Sequence, residues 1–264
     1  RQPVPMNRLL QGDVGAGKTF VALAAMLLAI DSDCQAALMA PTQLLAEQHY
    51  ATFCRWLAPL DLAISLHSAQ EHTHSHPQRS SAIFIGTHAL LHQPDLFTDL
   101  GLVVIDEQHK FGVAQRAQLI EHGQQPDVLV MTATPIPRTL TQTLYGDMDL
   151  SVLDERPAQR GKVVTAWRDS AKVSDITAFL KQHLRDGRQA YLVYPLVEDS
   201  ETLDLESASA AFTAWQKRLK PFHVGLLHGK MRNEEKQQIM EAFRRNDLQV
   251  LISTTVVEVG VDVP

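Results

Sequence analysis

An eight-residue run near the start of the chain has the composition of a phosphate-binding loop. Residues Gly12 to Thr19 read GDVGAGKT, which matches the pattern G-x-x-x-x-G-K-[ST]. Gly12, Gly15 and Gly17 would let backbone N–H groups curl around a phosphate, next to the positive end of a following helix. Lys18 would reach the β- and γ-phosphates of ATP, and the Thr19 hydroxyl would bind Mg²⁺. The alternative is a chance glycine-rich turn, which a strand before the run and a long helix after it disfavour.

Two adjacent acidic residues follow an apolar stretch in the middle of the chain. Leu102–Ile105 is predicted to be a strand, and Asp106 and Glu107 come directly after it. Ligands of open α/β sheets bind beyond the carboxyl ends of parallel strands. We therefore expect Asp106 to hold Mg²⁺ and Glu107 to orient and deprotonate an attacking water. Alone, such a pair could equally be a helix cap. Together with the phosphate-binding loop it predicts ATP hydrolysis, with Asp106, Glu107 and Lys18 as the catalytic residues.

A third short motif follows another apolar strand, Val128–Thr132. It reads Thr-Ala-Thr-Pro from Thr132 to Pro135. We expect the hydroxyls of Thr132 and Thr134 to bond to the segment from Asp106 to His109 and so report whether the γ-phosphate is present. On its own, the motif would be an ordinary transition from a strand to a turn.

Short apolar runs alternate with helical patterns along the first half of the chain. Several of the runs are apolar at every position, which is typical of parallel strands buried on both faces. The predicted strands are Arg8–Gln11, Ala36–Ala40, Ala63–Leu66, Ala82–Gly86, Leu102–Ile105 and Val128–Thr132, and the predicted helices are Lys18–Ile30, Gln43–Leu57 and Val113–His122. This alternation predicts a doubly wound α/β domain over residues 1–153.

A polar stretch with proline and glycine then interrupts the pattern, and we interpret residues 154–162 as a linker. A second α/β unit is predicted over residues 163–264. Its predicted strands are Val163–Trp167, Ala190–Tyr194, Val224–Leu227 and Val250–Ser253, and its predicted helices are Lys172–Arg185, Leu203–Leu219 and Glu234–Arg245. In the second of these helices a stripe of apolar residues predicts a core face, namely Leu205, Ala208, Phe212, Trp215 and Leu219. This second unit looks incomplete.

Composition narrows the class of protein. The chain has 264 residues, of which 45% are hydrophobic, and a net charge of −6. The longest apolar run, Phe20–Ile30, is too short to span a bilayer, and two cysteines, Cys34 and Cys54, cannot form a disulfide framework. We therefore expect a soluble, cytoplasmic protein without a membrane partner. The acidic balance gives no broad basic surface, so any affinity for nucleic acid must come from local contacts.

Four histidines stand close together after the third predicted strand, at positions 67, 72, 74 and 76. Imidazoles at alternate positions could share a metal ion. However, Glu71 is the only acidic residue among them and no cysteine accompanies them. We interpret His67–Ser81 as a polar surface loop and leave the metal tract as the alternative.

The phosphate-binding loop, the Asp-Glu-x-His box and the Thr-Ala-Thr motif, in this order and spacing, resemble those of superfamily 2 helicases. Such helicases have two RecA-like domains with parallel sheets, which bind ATP in the cleft between them. Ala40–Gln48 and Gly86–Leu90 resemble helicase motifs Ia and Ib. The resemblance implies that Thr42 and Thr87 contact the phosphate backbone of a nucleic acid.

The second half of the chain extends the resemblance. Tyr191–Glu201 is similar to motif IV and Ser253–Pro264 to motif V. This implies that Thr254 touches nucleic-acid phosphate and that Gly260 and Asp262 face the nucleotide. The segments DEQHKFGV and MTATPIPRTL are close to the pattern of the RecG branch-migration helicases, and the related Mfd proteins usually read DEEH at the first.

The resemblance implies a monomeric helicase motor that acts on branched or duplex DNA during recombination and repair. A wedge domain, an adenine-reading segment and motif VI with its arginine finger are not found, so we expect the chain to bind ATP but to hydrolyse it weakly. Lys110 also stands where the family usually has arginine. Two alternatives stay open, a non-catalytic nucleotide-binding module and a small-molecule kinase that shares the phosphate-binding loop.

Overall fold

The computed structural model describes residues 4–67, 72–74, 82–87, 90, 96–107, 126–134, 148–155, 163–194, 201–229 and 231–254. The chain divides into two units, Arg1–Gly161 and Lys162–Pro264. Both are α/β units built on parallel sheets, so the predicted fold class is confirmed.

The first unit is built on an eight-stranded sheet. In chain order its strands are β1 (Asn7–Gly12), β2 (Gln35–Met39), β3 (Ile64–His67), β4 (His72–His74), β5 (Ile83–Gly86), β6 (Leu100–Asp106), β7 (Asp127–Thr132) and β8 (Asp149–Leu153). Across the sheet the order is β4-β3-β5-β2-β6-β7-β1-β8, and only the pair β3–β4 is antiparallel. Most consecutive strands of the chain are not neighbours in the sheet, and β6 and β7, which are neighbours, run parallel. Crossover connections must therefore carry the chain over the faces of the sheet.

Alternate residues of each strand point to opposite faces of the sheet, and both faces are buried. In β2, Ala36 and Leu38 belong to one hydrophobic cluster, and Ala37 and Met39 belong to another. This explains why the strand sequences are apolar throughout rather than alternating.

Two helices cover the face of the first cluster. Helix α1 (Lys18–Ile30) packs with Ala22, Leu23 and Met26, and helix α2 (Gln43–Leu57) packs with Leu45, Ala46, Phe53 and Leu57. The first residue before α2, Thr42, caps it by accepting a hydrogen bond from the Leu45 N–H at 3.3 Å. Both helices have the predicted bounds. The third predicted helix, Val113–His122, lies outside the described residues.

Two strands of the first unit were not predicted. Strand β8 pairs in parallel with β1, and Arg8 reaches across to Asp149 and Ser151 at 3.0 and 2.8 Å. Strand β4 pairs with β3 inside the stretch interpreted as a polar loop. That interpretation was wrong for His67, which ends β3, is 3% exposed, and forms a hydrogen bond with the Ser65 hydroxyl at 2.9 Å.

The second unit has a three-stranded parallel sheet among its described residues. It contains β9 (Ala190–Tyr194), β10 (Val224–Leu227) and β11 (Val250–Thr254), in the order β10-β11-β9. Its helices are α3 (Val173–Arg185), α4 (Glu201–Arg218) and α5 (Asn233–Arg244). Trp215 and Leu219 from the predicted apolar stripe are buried in its core, with Phe212 packed against them. The side chains of Leu205 and Ala208 lie outside the described residues.

The predicted strand Val163–Trp167 is wrong. These residues form neither a helix nor a strand, and Val163, Val164 and Trp167 are 69%, 79% and 84% exposed. The residue types suit a strand, but a strand also needs a neighbour that completes its backbone hydrogen bonds, and none of the described strands pairs with this segment.

Over the described part of the chain, no helix combines the length and the apolar character that crossing a membrane requires.

Candidate functional site

Five of the motifs singled out in the sequence follow five adjacent strands of one sheet. These strands lie side by side in the order β5-β2-β6-β7-β1 and are all parallel. Their carboxyl ends therefore meet at one edge. Along that edge come, in the same order, Thr87, the Ala40–Thr42 segment, the acid pair Asp106–Glu107, the Thr132–Thr134 segment and the loop that begins at Gly12.

The loop between β1 and α1 has the backbone of a phosphate-binding turn. Gly15 and Gly17 have φ values of 78° and 94°, a left-handed conformation that glycine adopts without steric penalty. Gly17 precedes α1, whose first turn carries no acidic residue. The first N–H groups of a helix have no partner within it, so this helix end is suited to an anion.

Gly12 is required for a different reason, which is the close approach of neighbouring chain. A Cβ atom on Gly12 would lie 3.0 Å from the Cβ of Leu153 and 3.3 Å from that of Ala16. Strand β8 thus packs directly behind the loop, and a larger residue at position 12 would push the two apart.

Lys18 lies over the loop and among the acidic residues. Its Nζ donates hydrogen bonds to the carbonyl oxygens of Gly12 and Asp13, at 2.8 and 3.0 Å. Partial burial lowers the pKa of the Lys18 ammonium, and the nearby negative charges of Glu107, Asp106 and Asp13 oppose that shift. The structure therefore brings the loop lysine and the acid pair together.

The two acidic residues are held by different partners. The Asp106 Oδ2 lies 2.9 Å from the Nε2 of His49, and both side chains are largely buried. Glu107 is 5% exposed and its Oε1 accepts a hydrogen bond from the Ala133 N–H at 3.2 Å. Glu107 also has a φ of 50°, a conformation that is uncommon outside glycine and is found at functional sites.

The Thr-Ala-Thr motif reaches the acid pair through its backbone. The hydroxyls of Thr132 and Thr134 form a hydrogen bond with each other at 2.9 Å, and the Thr134 N–H donates to the Thr132 hydroxyl at 3.2 Å. The bond to the acid pair comes instead from the Ala133 N–H to Glu107. His109, the remaining residue expected to couple these segments, lies outside the described residues.

The threonines expected to contact nucleic acid lie in three settings. Thr42 is exposed, and its hydroxyl, which caps α2, retains the capacity to donate a hydrogen bond. Thr87 is 6% exposed and directly follows β5. Thr254 belongs to the second unit, where it ends β11 and is 2% exposed.

The carboxyl edge of the second sheet carries buried polar groups. The hydroxyls of Ser253 and Thr254 and the Nδ1 of His228 are buried and have no hydrogen-bond partner among the described residues. Leu227, which precedes His228, is paired in register with Ser253, so the three groups belong to neighbouring strand ends. Gly260 and Asp262 lie outside the described residues.

His49 is a residue of the site that the sequence analysis missed. The signal was present in α2, where positions 45, 49, 53 and 57 lie one helical turn apart. Leucine or phenylalanine occupies three of these positions and is buried, and histidine occupies the fourth. A polar side chain in an apolar stripe needs a partner, but the sequence does not show which one.

The oxygen donors at this edge suit Mg²⁺, a hard cation that prefers carboxylate, hydroxyl and phosphate oxygens. Asp106 supplies a largely buried carboxylate near the Lys18 ammonium, and Thr19 follows Lys18 in the first turn of α1. By contrast, no group of three or more histidine, cysteine or acidic side chains suited to a metal is found in the described ranges, which include His67 and exclude His76.

Comparison with known proteins gives matches over the whole chain. The ATP-dependent DNA helicase RecG of Bacillus subtilis (strain 168) is 46% identical over 270 residues, which cover 99% of this chain and 40% of that protein. RecG of Synechocystis sp. is 45% identical over 271 residues, which cover 100% of this chain and 33% of that protein. The chain thus spans about a third to two fifths of the length of these relatives.

A solved structure of RecG bound to a three-way DNA junction is similar to this chain with a TM-score of 0.76. The two are 38% identical, and the match covers 98% of this chain and 35% of that one.

Two family models divide the chain between them. The helicase conserved C-terminal domain matches residues 171–264. The DEAD/DEAH box helicase model matches residues 5–143, which is more than half of the chain and includes every motif of the first sheet edge. The chain belongs to the DEAD/DEAH box helicase family.

Proposed function

We propose that this chain is the motor part of an ATP-dependent DNA helicase of the RecG type. The observation that carries the proposal is the single sheet edge on which the phosphate-binding loop, the acid pair and the Thr-Ala-Thr motif lie beside Thr42 and Thr87. One rigid sheet would thereby connect a nucleotide site to a nucleic-acid contact. The RecG relatives, described as ATP-dependent DNA helicases, support the same reading.

In this proposal the first unit binds ATP through its loop. Gly12, Gly15 and Gly17 allow the backbone to surround the phosphates, and Lys18 exchanges its two carbonyl partners for phosphate oxygens. Bound Mg²⁺, held by Thr19 and Asp106, would neutralise charge on the phosphates.

Glu107 is proposed as the base that accepts a proton from the attacking water. Its Oε1 is held by the Ala133 N–H, so a shift of the Thr132–Thr134 segment would move the carboxylate as well. This bond gives a direct route by which the proposed coupling residues Thr132 and Thr134, together with His109, would sense the nucleotide.

DNA contact is proposed for Thr42 and Thr87 on the first unit and Thr254 on the second, through phosphate oxygens. Phosphate contacts position a nucleic acid without reading its sequence, which fits a protein that acts on branched or duplex structures. Gly260 and Asp262 are proposed as nucleotide contacts on the family resemblance. We also propose a monomer in a reducing cytoplasm, which suits the two free cysteines, Cys34 and Cys54.

A nucleotide switch without hydrolysis is the competing function, and single-turnover kinetics separate the two. Radiolabelled ATP would be mixed with an excess of the longest form of the protein that the gene encodes, with and without a three-way DNA junction. We expect hydrolysis that DNA accelerates several-fold and that Lys18→Ala removes. Tight ATP binding with no hydrolysis in either condition would support the switch, and DNA-independent hydrolysis would contradict the motor.

A further inference from the structure

Helix α2 buries a histidine in an otherwise apolar stripe. Leu45, Phe53 and Leu57 are 6%, 0% and 4% exposed, and His49 lies among them on the same face. Burying a polar group without a hydrogen bond costs about 1–3 kcal/mol in proteins. A histidine at position 49 therefore destabilises the fold unless its imidazole has a hydrogen-bond partner.

The partner is the carboxylate of Asp106, 57 residues further along the chain. The Nε2 and Oδ2 atoms are 2.9 Å apart, and the two side chains are 11% and 13% exposed. A carboxylate only accepts hydrogen bonds, so the His49 Nε2–H is the donor. The imidazole also packs edge-on against Phe53, with ring centroids 6.2 Å apart, which limits its rotation.

We propose that His49 is a positioning residue that orients the Asp106 carboxylate for Mg²⁺. The inference rests on the proposed function, because it assumes that Asp106 holds the cation. With Oδ2 fixed by the Nε2–H and the imidazole fixed by Phe53, the carboxylate keeps one orientation before nucleotide arrives. Hydrogen bonds of this kind to a liganding carboxylate typically contribute 10–100-fold to metal affinity.

A purely structural role is the alternative, in which Asp106 merely satisfies a buried imidazole. Two polar substitutions of different reach separate these roles. His49→Gln places an amide N–H close to where Nε2 lies, whereas His49→Asn is too short to reach Oδ2. Both replace an aromatic ring by an amide, so they disturb the packing against Phe53 to a similar degree. Tyr50→Phe is a control on the same helix that leaves Asp106 untouched.

The experiment measures binding of a fluorescent ATP analogue while Mg²⁺ is titrated, and again in EDTA. We expect His49→Asn to raise, by about 10-fold or more, the Mg²⁺ concentration that gives half of the Mg²⁺-dependent increase in analogue binding. The affinity for the ATP analogue in EDTA should stay unchanged. His49→Gln should stay within about threefold of the wild type, and Tyr50→Phe should match it. Thermal unfolding of each variant checks that the first unit is folded.

Two results would overturn the proposal. The first is an unchanged Mg²⁺ midpoint in His49→Asn, and the second is an equal loss of affinity with Mg²⁺ and in EDTA for both substitutions. Lys18→Ala distinguishes this failure from failure of the proposed function. If wild-type binding depends on Lys18 while His49→Asn behaves as wild type, only the positioning role is wrong. If the wild type binds no ATP, both proposals fail.

Discussion

The hydroxyl groups at the carboxyl edges of the two sheets have opposite hydrogen-bonding environments. In the first unit, Lys18, Asp106, Glu107 and Thr132 each have a hydrogen-bond partner within the same unit. In the second unit, the hydroxyls of Ser253 and Thr254 are buried and no described residue bonds to them. The hydroxyls of Thr132 and Thr134 at the first edge thus bond to each other, whereas those of Ser253 and Thr254 at the second edge have no partner among the described residues.

This difference bears on how each edge would meet its ligand. A buried polar group without a partner costs roughly 1–3 kcal/mol, whereas a hydrogen-bonded one contributes about 0.5–1.5 kcal/mol net to stability. At the first edge the Lys18 ammonium and the threonine hydroxyls already have partners, so ligand binding to these groups must exchange existing bonds for new ones. The second edge gains bonds when a donor or acceptor arrives, whether from a ligand or from other residues of the chain.

The largest effect is expected on ATP turnover when Glu107, at the first edge, is replaced. Glu107→Gln keeps an oxygen for the Ala133 N–H but can no longer take a proton from water. Turnover should fall by about 10²–10⁴-fold, the usual weight of general-base catalysis, with ATP affinity nearly intact. Steady-state hydrolysis with junction DNA, in the longest form of the protein that the gene encodes, measures this. Glu155→Gln, an exposed site, is the control. Turnover within about threefold of wild type would make Glu107 a structural acid.

A somewhat smaller effect is expected when the loop loses its cation. Lys18→Ala removes a charge-assisted contact to phosphate, and hydrogen bonds to charged groups contribute about 1.5–3 kcal/mol each. ATP affinity should weaken by roughly 100-fold, beyond detection by calorimetry. Lys172→Ala, whose ammonium is exposed and paired with Asp175 at 3.4 Å, should bind as the wild type does. Unchanged affinity in Lys18→Ala would contradict the loop assignment.

A matched pair of substitutions tests the comparison between the edges directly. Thr132→Val removes a hydroxyl that bonds to Thr134, and should lower the free energy of unfolding of its unit by about 1 kcal/mol. Thr254→Val removes a buried hydroxyl that has no described partner, and should leave that free energy unchanged or slightly raised. Urea denaturation followed by tryptophan fluorescence and circular dichroism gives both values. Equal losses at the two positions would show that the edges are alike.

The smallest effect concerns the pH dependence of stability. Burial lowers the pKa of Lys18 below its usual 10.5, so the folded chain releases this proton at a lower pH than the unfolded chain. Between the lowered pKa and 10.5 the unfolded state binds more protons, and the free energy of unfolding rises with pH. The destabilisation caused by burying the charged ammonium is complete below this pH range and absent above it. Lys18→Met has no charged group to bury at this position. The free energy of unfolding of the wild type should therefore rise relative to that of Lys18→Met as the pH rises.

Urea denaturation of both proteins at several pH values up to 10.5 measures this difference. The ammonium is only partly buried, so the gain should be small. A difference that stays constant with pH would show that Lys18 keeps its usual pKa in the folded chain.

Local sequence was enough to predict the strands and helices that carry the motifs. The helices Lys18–Ile30 and Gln43–Leu57 begin after a glycine turn and a capping threonine, which are local signals. Strands buried on both faces are apolar throughout, so β2, β5, β6 and β7 were recognised. The family resemblance rests on motifs that are contiguous in sequence, and it was confirmed for that reason.

Pairing between distant segments was decided by the tertiary structure. The sequence separates Gln11 from Thr132 by 121 residues, yet β1 and β7 are neighbours that place these two residues in register. Val163–Trp167 shows the converse, because this run of strand-favouring residues pairs with none of the described strands. Strand β8 was missed because its only described partner is β1, in which Gly12 lies in register with Leu153, far away in the sequence.

The sequence by itself determined which residues could bind phosphate, hold Mg²⁺ and activate water, because these capacities belong to residue types at short spacing. Only the tertiary structure decided that His49 touches Asp106, since no spacing rule connects a helix position to a strand end 57 residues away. It likewise decided that Ala133, rather than either threonine beside it, bonds to Glu107. Such contacts depend on where the chain crosses the sheet, and that is set by packing of the whole unit.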